Sequence, residues 1–230
     1  MTAEQWKSGR REAGLTQIAA ARSLHITQPY LSQLETGLRV PSSRLVRKAT
    51  RLFRLPPTAL PLRGPLTPPS SGLNDLQKEL AALGYPGFEH VRAGRPSNPA
   101  EVVLSALAKS DLDTRLVEAL PWVVGTYTEL QWAWLRDRAK LQNLQNRLGY
   151  VVHLAKEWAA DFPKNRGAVK VLSTWEDQLE AARLASEGTL CRDSMPERER
   201  VWLRTNRPGA AAHWNLLTSL TARQLPYADN

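Results

Sequence analysis

Gly14-Leu-Thr-Gln-Ile-Ala-Ala-Ala-Arg-Ser-Leu-His-Ile-Thr-Gln-Pro-Tyr-Leu-Ser-Gln-Leu-Glu-Thr-Gly-Leu-Arg-Val-Pro41 is the stretch that decides the fold. It spells two short helices joined by a tight turn. Thr16 stands where an N-cap is needed, and Gln17 to Ser23 follows it as a helix rich in small residues. Thr27 caps the next helix, which ends near Glu35, and Gly37 supplies the stop. Pro29 falls in that helix's first turn, where its missing N–H is no loss. This helix-turn-helix arrangement lays its second helix in the DNA major groove.

Working outward, residues 3–13 read as a preceding helix with Trp6 and Ala13 facing inward. Pro41-Ser42-Ser43 opens a fourth, Ser43 to Arg54, with Leu45, Ala49 and Leu52 on one face. Pro56-Pro57 begins a short fifth turn ending near Leu60. Charge follows the same boundary. Of a formal net charge of +9, residues 1–63 hold 11 Lys/Arg against 3 Asp/Glu, and residues 64–230 hold 20 against 19. A basic excess confined to one small domain with a groove-reading motif is the footprint of a polyanion partner.

The chain of 230 residues has room for one to two domains. Residues 1–62 are read as the DNA-binding domain. Residues 63–72, dense in Pro, Gly and Ser, are read as a linker that cannot continue a helix. Residues 73–230 are read as a larger helical domain. Helices are expected over Leu73–Leu83, Pro99–Lys109, from Asp111 or Asp113 through Leu116, Leu120, Val123 and Val124 (with Pro121 kinking or ending it), and over Thr128–Asp161 with a bend or break near Gly149. Ser173–Glu187, Pro196–Arg204 and Pro208–Gln224 complete the set, with residues 86–98 as a loop. No sustained period-two alternation is present, so the fold class is all-α with little or no sheet, its helices in pairs in the manner of an α-solenoid. Seven of the eight tryptophans lie beyond residue 121, which implies an aromatic-rich core.

The motif residues closely resemble the repressor/Cro-type (XRE-type) helix-turn-helix family. The resemblance rests on Leu15-Thr16-Gln17, Ala19-Ala20-Ala21, Leu24-His25-Ile26, Thr27-Gln28, Leu31-Ser32, Leu34-Glu35-Thr36-Gly37 and Pro41-Ser42, in that order and spacing, and covers residues 3 to about 60. It implies a five-helix repressor-like domain. Gln28, Pro29, Ser32 and Gln33 then become the base-contacting candidates. The Gln28 amide suits adenine N6/N7, and Pro29 suits a thymine methyl. Gln17, Thr27, Arg39 and Arg44 are the phosphate-contacting candidates. Arg10 and Glu35 are implied to form a partly buried salt bridge that fixes the second helix of the motif. One departure stands out. The family's turn usually has glycine where this chain has His25, so a positive φ at a cost of roughly 1 kcal/mol is expected there.

Enzyme function finds little support. His-Glu-x-x-His is absent, His90, His153 and His213 share no helix-face spacing, and Cys191, the lone cysteine, has no nearby His. No catalytic residue, metal or cofactor is assigned. One thiol fits a reducing compartment, and no apolar run of 18 residues suggests a membrane span, so a cytoplasmic protein is expected. The expected partners are double-stranded DNA and a second copy of the chain. The expected function is a sequence-specific, autoregulating repressor on a palindromic operator. An antitoxin that also binds a toxin, and a ligand-sensing regulator, are the alternatives. Arg198 to Asn215, with Trp202, Arg204, Arg207, His213 and Trp214, carries residue types enriched at binding hot spots, although core tryptophans are the commoner outcome.

Overall fold

A computed structural model describes residues 1–62, 73–162 and 165–225; the linker expected over 63–72 lies outside them. The chain forms two compact units, Met1–Thr67 and Pro68–Asn230. Among the described residues the fold is helical, apart from one pair of two-residue strands.

The first unit holds α1 (Ala3–Glu12), α2 (Gln17–Leu24), α3 (Gln28–Glu35) and α4 (Ser43–Leu52), then a 3-10 turn, Pro57–Ala59. Each of the four helices starts on a hydroxyl. Thr2, Thr16, Thr27 and Ser42 accept from the N–H three residues on, at Gln5, Ala19, Tyr30 and Leu45. Each also ends the same way, one residue turning left-handed while two N–H groups fold back onto the last turn. Gly14, His25, Gly37 and Arg54 are those residues. At α2 the His25 N–H reaches Arg22 O at 3.1 Å and the Ile26 N–H reaches Ala21 O at 3.0 Å. Arg54, expected inside the fourth helix, instead ends it, with Leu55 N–H bonded to Thr50 O at 2.9 Å. The core gathers Trp6, Leu24, Leu31, Leu34, Val46 and Phe53, with Trp6 edge-on to Phe53 at 6.0 Å.

The second unit comprises α5 (Leu73–Ala82), α6 (Pro99–Leu107), α7 (Thr114–Thr126), α8 (Trp132–Leu141), α9 (Gln145–Ala160), α10 (Arg166–Glu180), α11 (Glu197–Asn206) and α12 (Gly209–His213). Gly188–Thr189 (β1) and Leu216–Leu217 (β2) pair in parallel. A short 3-10 turn, Pro86–Phe88, opens the 86–98 loop. The centre is α9, which packs on α7, α8, α10 and α12. Most of its residues are buried, and His153, Lys156 and Glu157 mark the side that stays accessible.

Several boundaries differ from the sequence expectation, each for a physical reason. The break falls at Gln142–Leu144, where Asn143 turns left-handed at φ 57°. Gly149 lies inside α9, where it makes room for a side chain: a Cβ there would sit 2.3 Å from Trp214 Cζ3. Pro121 does not end α7, which continues to Thr126. α10 starts earlier than expected and stops at Glu180. The Asn146 amide holds both backbone groups of Leu184, accepting from its N–H at 2.8 Å and donating to its C=O at 2.9 Å, so they are not available to a helix. The helix expected over Pro208–Gln224 survives only as α12. Trp214 turns into the core and Asn215 takes φ 51°, which leads the chain into β2. No helix of the described residues is long and apolar enough to cross a membrane.

Candidate nucleic-acid interface

α3 rests on α1 and α2. Its apolar side, Leu31 and Leu34, is buried, and Pro29 is exposed while Gln28, Ser32 and Gln33 are half-buried. The four base-contacting candidates therefore sit on the part of α3 that the core leaves accessible. The N-termini of α2, α3 and α4 carry no acidic residue in the first turn. Their free N–H groups and positive dipole ends are not neutralised from within the helix.

A chain of four side chains runs from α1 to the start of α3. Arg10 grips Glu35 bidentately, Nε to Oε1 at 2.5 Å and Nη2 to Oε2 at 3.0 Å, with both side chains buried. Its Nη1 donates to Leu15 O at 2.8 Å, which ties down the turn between α1 and α2. Gln17 Nε2 donates to Glu35 Oε2 at 2.9 Å. Gln28 Nε2 donates to Gln17 Oε1 at 2.7 Å. Burial pushes the Glu35 carboxyl up, but the hydrogen bonds from Arg10 and Gln17 and the charges of Arg10 and Arg11 outweigh it and hold the pKa below its usual 4.5. The Arg10 guanidinium, hydrogen-bonded to Glu35, is raised in turn. The pair stays charged through the neutral range.

Sequence reasoning assigned Gln17 and Gln28 separate roles and missed the bond between them. A glutamine at the first position of both motif helices is the only sequence signal for it. The bond leaves the Gln28 amide with one N–H and its carbonyl oxygen. That is the donor–acceptor pair adenine presents a match for at N7 and N6.

The remaining candidates are spread around α3. Gln33 Oε1 accepts from Arg39 Nε at 3.3 Å, joining a base candidate to a phosphate candidate. Thr27 is exposed, and its hydroxyl is already engaged as the α3 cap. Arg44 is exposed at the start of α4 and makes no hydrogen bond or ion pair among the described residues. Leu38 and Val40, in the loop after α3, are 76% and 91% exposed, which sequence reading did not single out. The fold core does not need them.

Residues 7–62 match the family described as helix-turn-helix domain. No curated protein and no solved structure matches the chain. A domain of this type points to a DNA-binding regulator rather than an enzyme.

Proposed function

We propose that this chain is a sequence-specific transcriptional regulator that binds a palindromic operator as a homodimer and represses its own gene, with Gln28 and Gln33 reading bases from the major groove. The observation that carries this reading is the relay Arg10–Glu35–Gln17–Gln28. A surface glutamine would sample many rotamers and lose entropy on binding. This one is held by a chain of hydrogen bonds anchored on a buried ion pair, as a base-reading amide benefits from being. The exposed Arg44 and Arg39 supply the phosphate contacts that add affinity without sequence information. Two-fold pairing is part of the proposal because one such motif covers a single half-site.

The test is fluorescence anisotropy on the DNA upstream of the chain's own gene, against a scrambled duplex, at two salt concentrations. Each lost bidentate base contact is worth about 1–3 kcal/mol. Gln28→Ala/Gln33→Ala should therefore bring the specific duplex down to the level of the scrambled one and leave the latter unchanged. Arg44→Ala should weaken both duplexes alike and flatten the salt dependence by about one unit of slope. Equal binding of the unaltered chain to both duplexes would sink the sequence-specific reading.

A second reading, a regulator that also neutralises a toxin from the same operon, draws on Val201 and Trp202. These neighbours on α11 are 54% and 56% exposed. Tryptophan is enriched at the energetic centres of protein interfaces. Co-purification with the product of an adjacent gene, lost in Trp202→Ala, would favour it.

A further inference from the structure

The second unit contains a cavity of about 230 Å³ where the start of α7, the Leu190–Met195 segment, α11 and the chain after β2 converge. Much of its lining is apolar: Leu112, Val117, Met195, Leu203 and Leu217 among others. Two carboxylates and one guanidinium also face it. Arg192 and Glu199 neutralise one another in an ion pair. Glu118 is half-buried and has no hydrogen-bond or ion-pair partner among the described residues. The cavity thus has one carboxylate without a hydrogen-bond or ion-pair partner, set between apolar and hydroxyl side chains.

A carboxylate in such surroundings is costly unless something pairs with it. Burial, with Asp113 nearby, pushes the Glu118 carboxyl up against the weaker pull of Arg115 on the same helix. Cys191 also lines the cavity but offers no chemistry. It is fully buried, its Sγ faces the carbonyls of Ala106 and Leu107, and burial pushes its pKa to about 11, so it stays a neutral thiol.

We propose that this cavity is a binding site for a small organic monocation, an ammonium group on an apolar body, with Glu118 receiving the ammonium. Size narrows the class. An apolar cavity of roughly 150 Å³ takes a benzene, so this one takes about nine non-hydrogen atoms at similar packing. An arylalkylamine has that size and that division into an apolar ring and a charged tip. An anion would meet Glu118, and a dication would leave a charge unpaired. The site lies outside the DNA-reading surface, and its occupancy does not depend on whether that surface reads sequence.

Calorimetric titration of the full chain, without DNA, tests the assignment with three probes of similar size: 2-phenylethylamine, 2-phenylethanol and phenylacetate. The amine is expected to bind, the alcohol at least tenfold more weakly, and the acid not measurably. Glu118→Gln keeps the side chain's size and removes its charge. It should weaken the amine at least tenfold while leaving the alcohol unchanged. The proposal is overturned if the amine does not bind, if the alcohol equals it, or if Glu118→Gln binds the amine as well as the unaltered chain does.

Discussion

The two units are fastened by different means. In the first, the deciding polar contacts are a charge pair and a glutamine relay, Arg10–Glu35–Gln17–Gln28, on helices that are neighbours in sequence. In the second, one buried helix, α9, sends polar side chains out to distant backbone. Arg147 donates to the carbonyls of Leu107, Lys109 and Thr189, Asn146 brackets Leu184, and Tyr150 reaches Leu220. One buried ion pair anchors the geometry of the first unit, whereas in the second the half-buried pairs of Arg147 with Asp193 and of Lys156 with Glu176 stand beside backbone satisfaction and close packing. The difference teaches where each is fragile: the first to loss of one charge, the second to one added methyl.

The largest effect is expected from Arg10→Met. It keeps much of the side-chain bulk but leaves Glu35 buried without its counter-ion, a change that costs about 3–5 kcal/mol. That is a large share of a small domain's stability of about 5–15 kcal/mol. Hydrogen exchange in peptides covering α1 and α3 should rise accordingly, and Arg10→Met/Glu35→Leu should recover most of the protection, since a well-packed apolar pair replaces an ion pair at little cost. The same pair sets a pH dependence. The folded pKa of Glu35 lies below its unfolded value, so the stability it lends is present above the unfolded pKa and is lost as pH falls through the folded one. Arg10→Met should shrink that acid-side loss. If the single variant protects α1 and α3 as well as the unaltered chain does, the contrast between the units is wrong.

Gly149→Ala comes next and breaks the comparison from the other side. By helix propensity alone it should stabilise α9 by about 1 kcal/mol. The Trp214 ring lies where the new Cβ would go, at 2.3, 2.4 and 2.6 Å from three of its carbons. Trp214 is 1% exposed and cannot swing into solvent without opening the core. Overpacking of this kind costs about 1–3 kcal/mol, so the net change should be destabilising. A raised unfolding temperature for Gly149→Ala would mean that the ring yields easily.

That glycine also marks the limit of what the sequence reveals. Local signals were legible: the capping hydroxyls of Thr16 and Thr27, the stop at Gly37, and the left-handed turn at His25 depend on residues within five positions of one another. Gly149 read as a helix breaker because its reason for being glycine lies 65 residues away, at Trp214. Asn146 likewise stops α10 from another helix, and Asn215 ends a helix that periodicity alone would extend. At the candidate interface, each residue of α3 could be placed by the motif. The Gln17–Gln28 bond could not, because it depends on how α2 and α3 cross.

The smallest effect belongs to the turn of the motif itself. α1 and α3 end on Gly14 and Gly37, at φ 68° and 76°, and α2 ends on His25 at φ 58°, ψ 48°. The three share one hydrogen-bonding pattern, so the residue at the left-handed position is the main difference among them. A side chain there costs on the order of 1 kcal/mol. His25 is exposed and has no side-chain hydrogen bond among the described residues to offset that cost. Glycine returns part of the gain by loosening the unfolded chain. His25→Gly should therefore raise the unfolding temperature of the first unit by a few degrees at most, with DNA affinity unchanged. Arg54→Gly, at φ 54° where α4 ends, should do the same. A fall in both would mean that these side chains contribute contacts outweighing the strain, and the turn would then be held by more than its backbone.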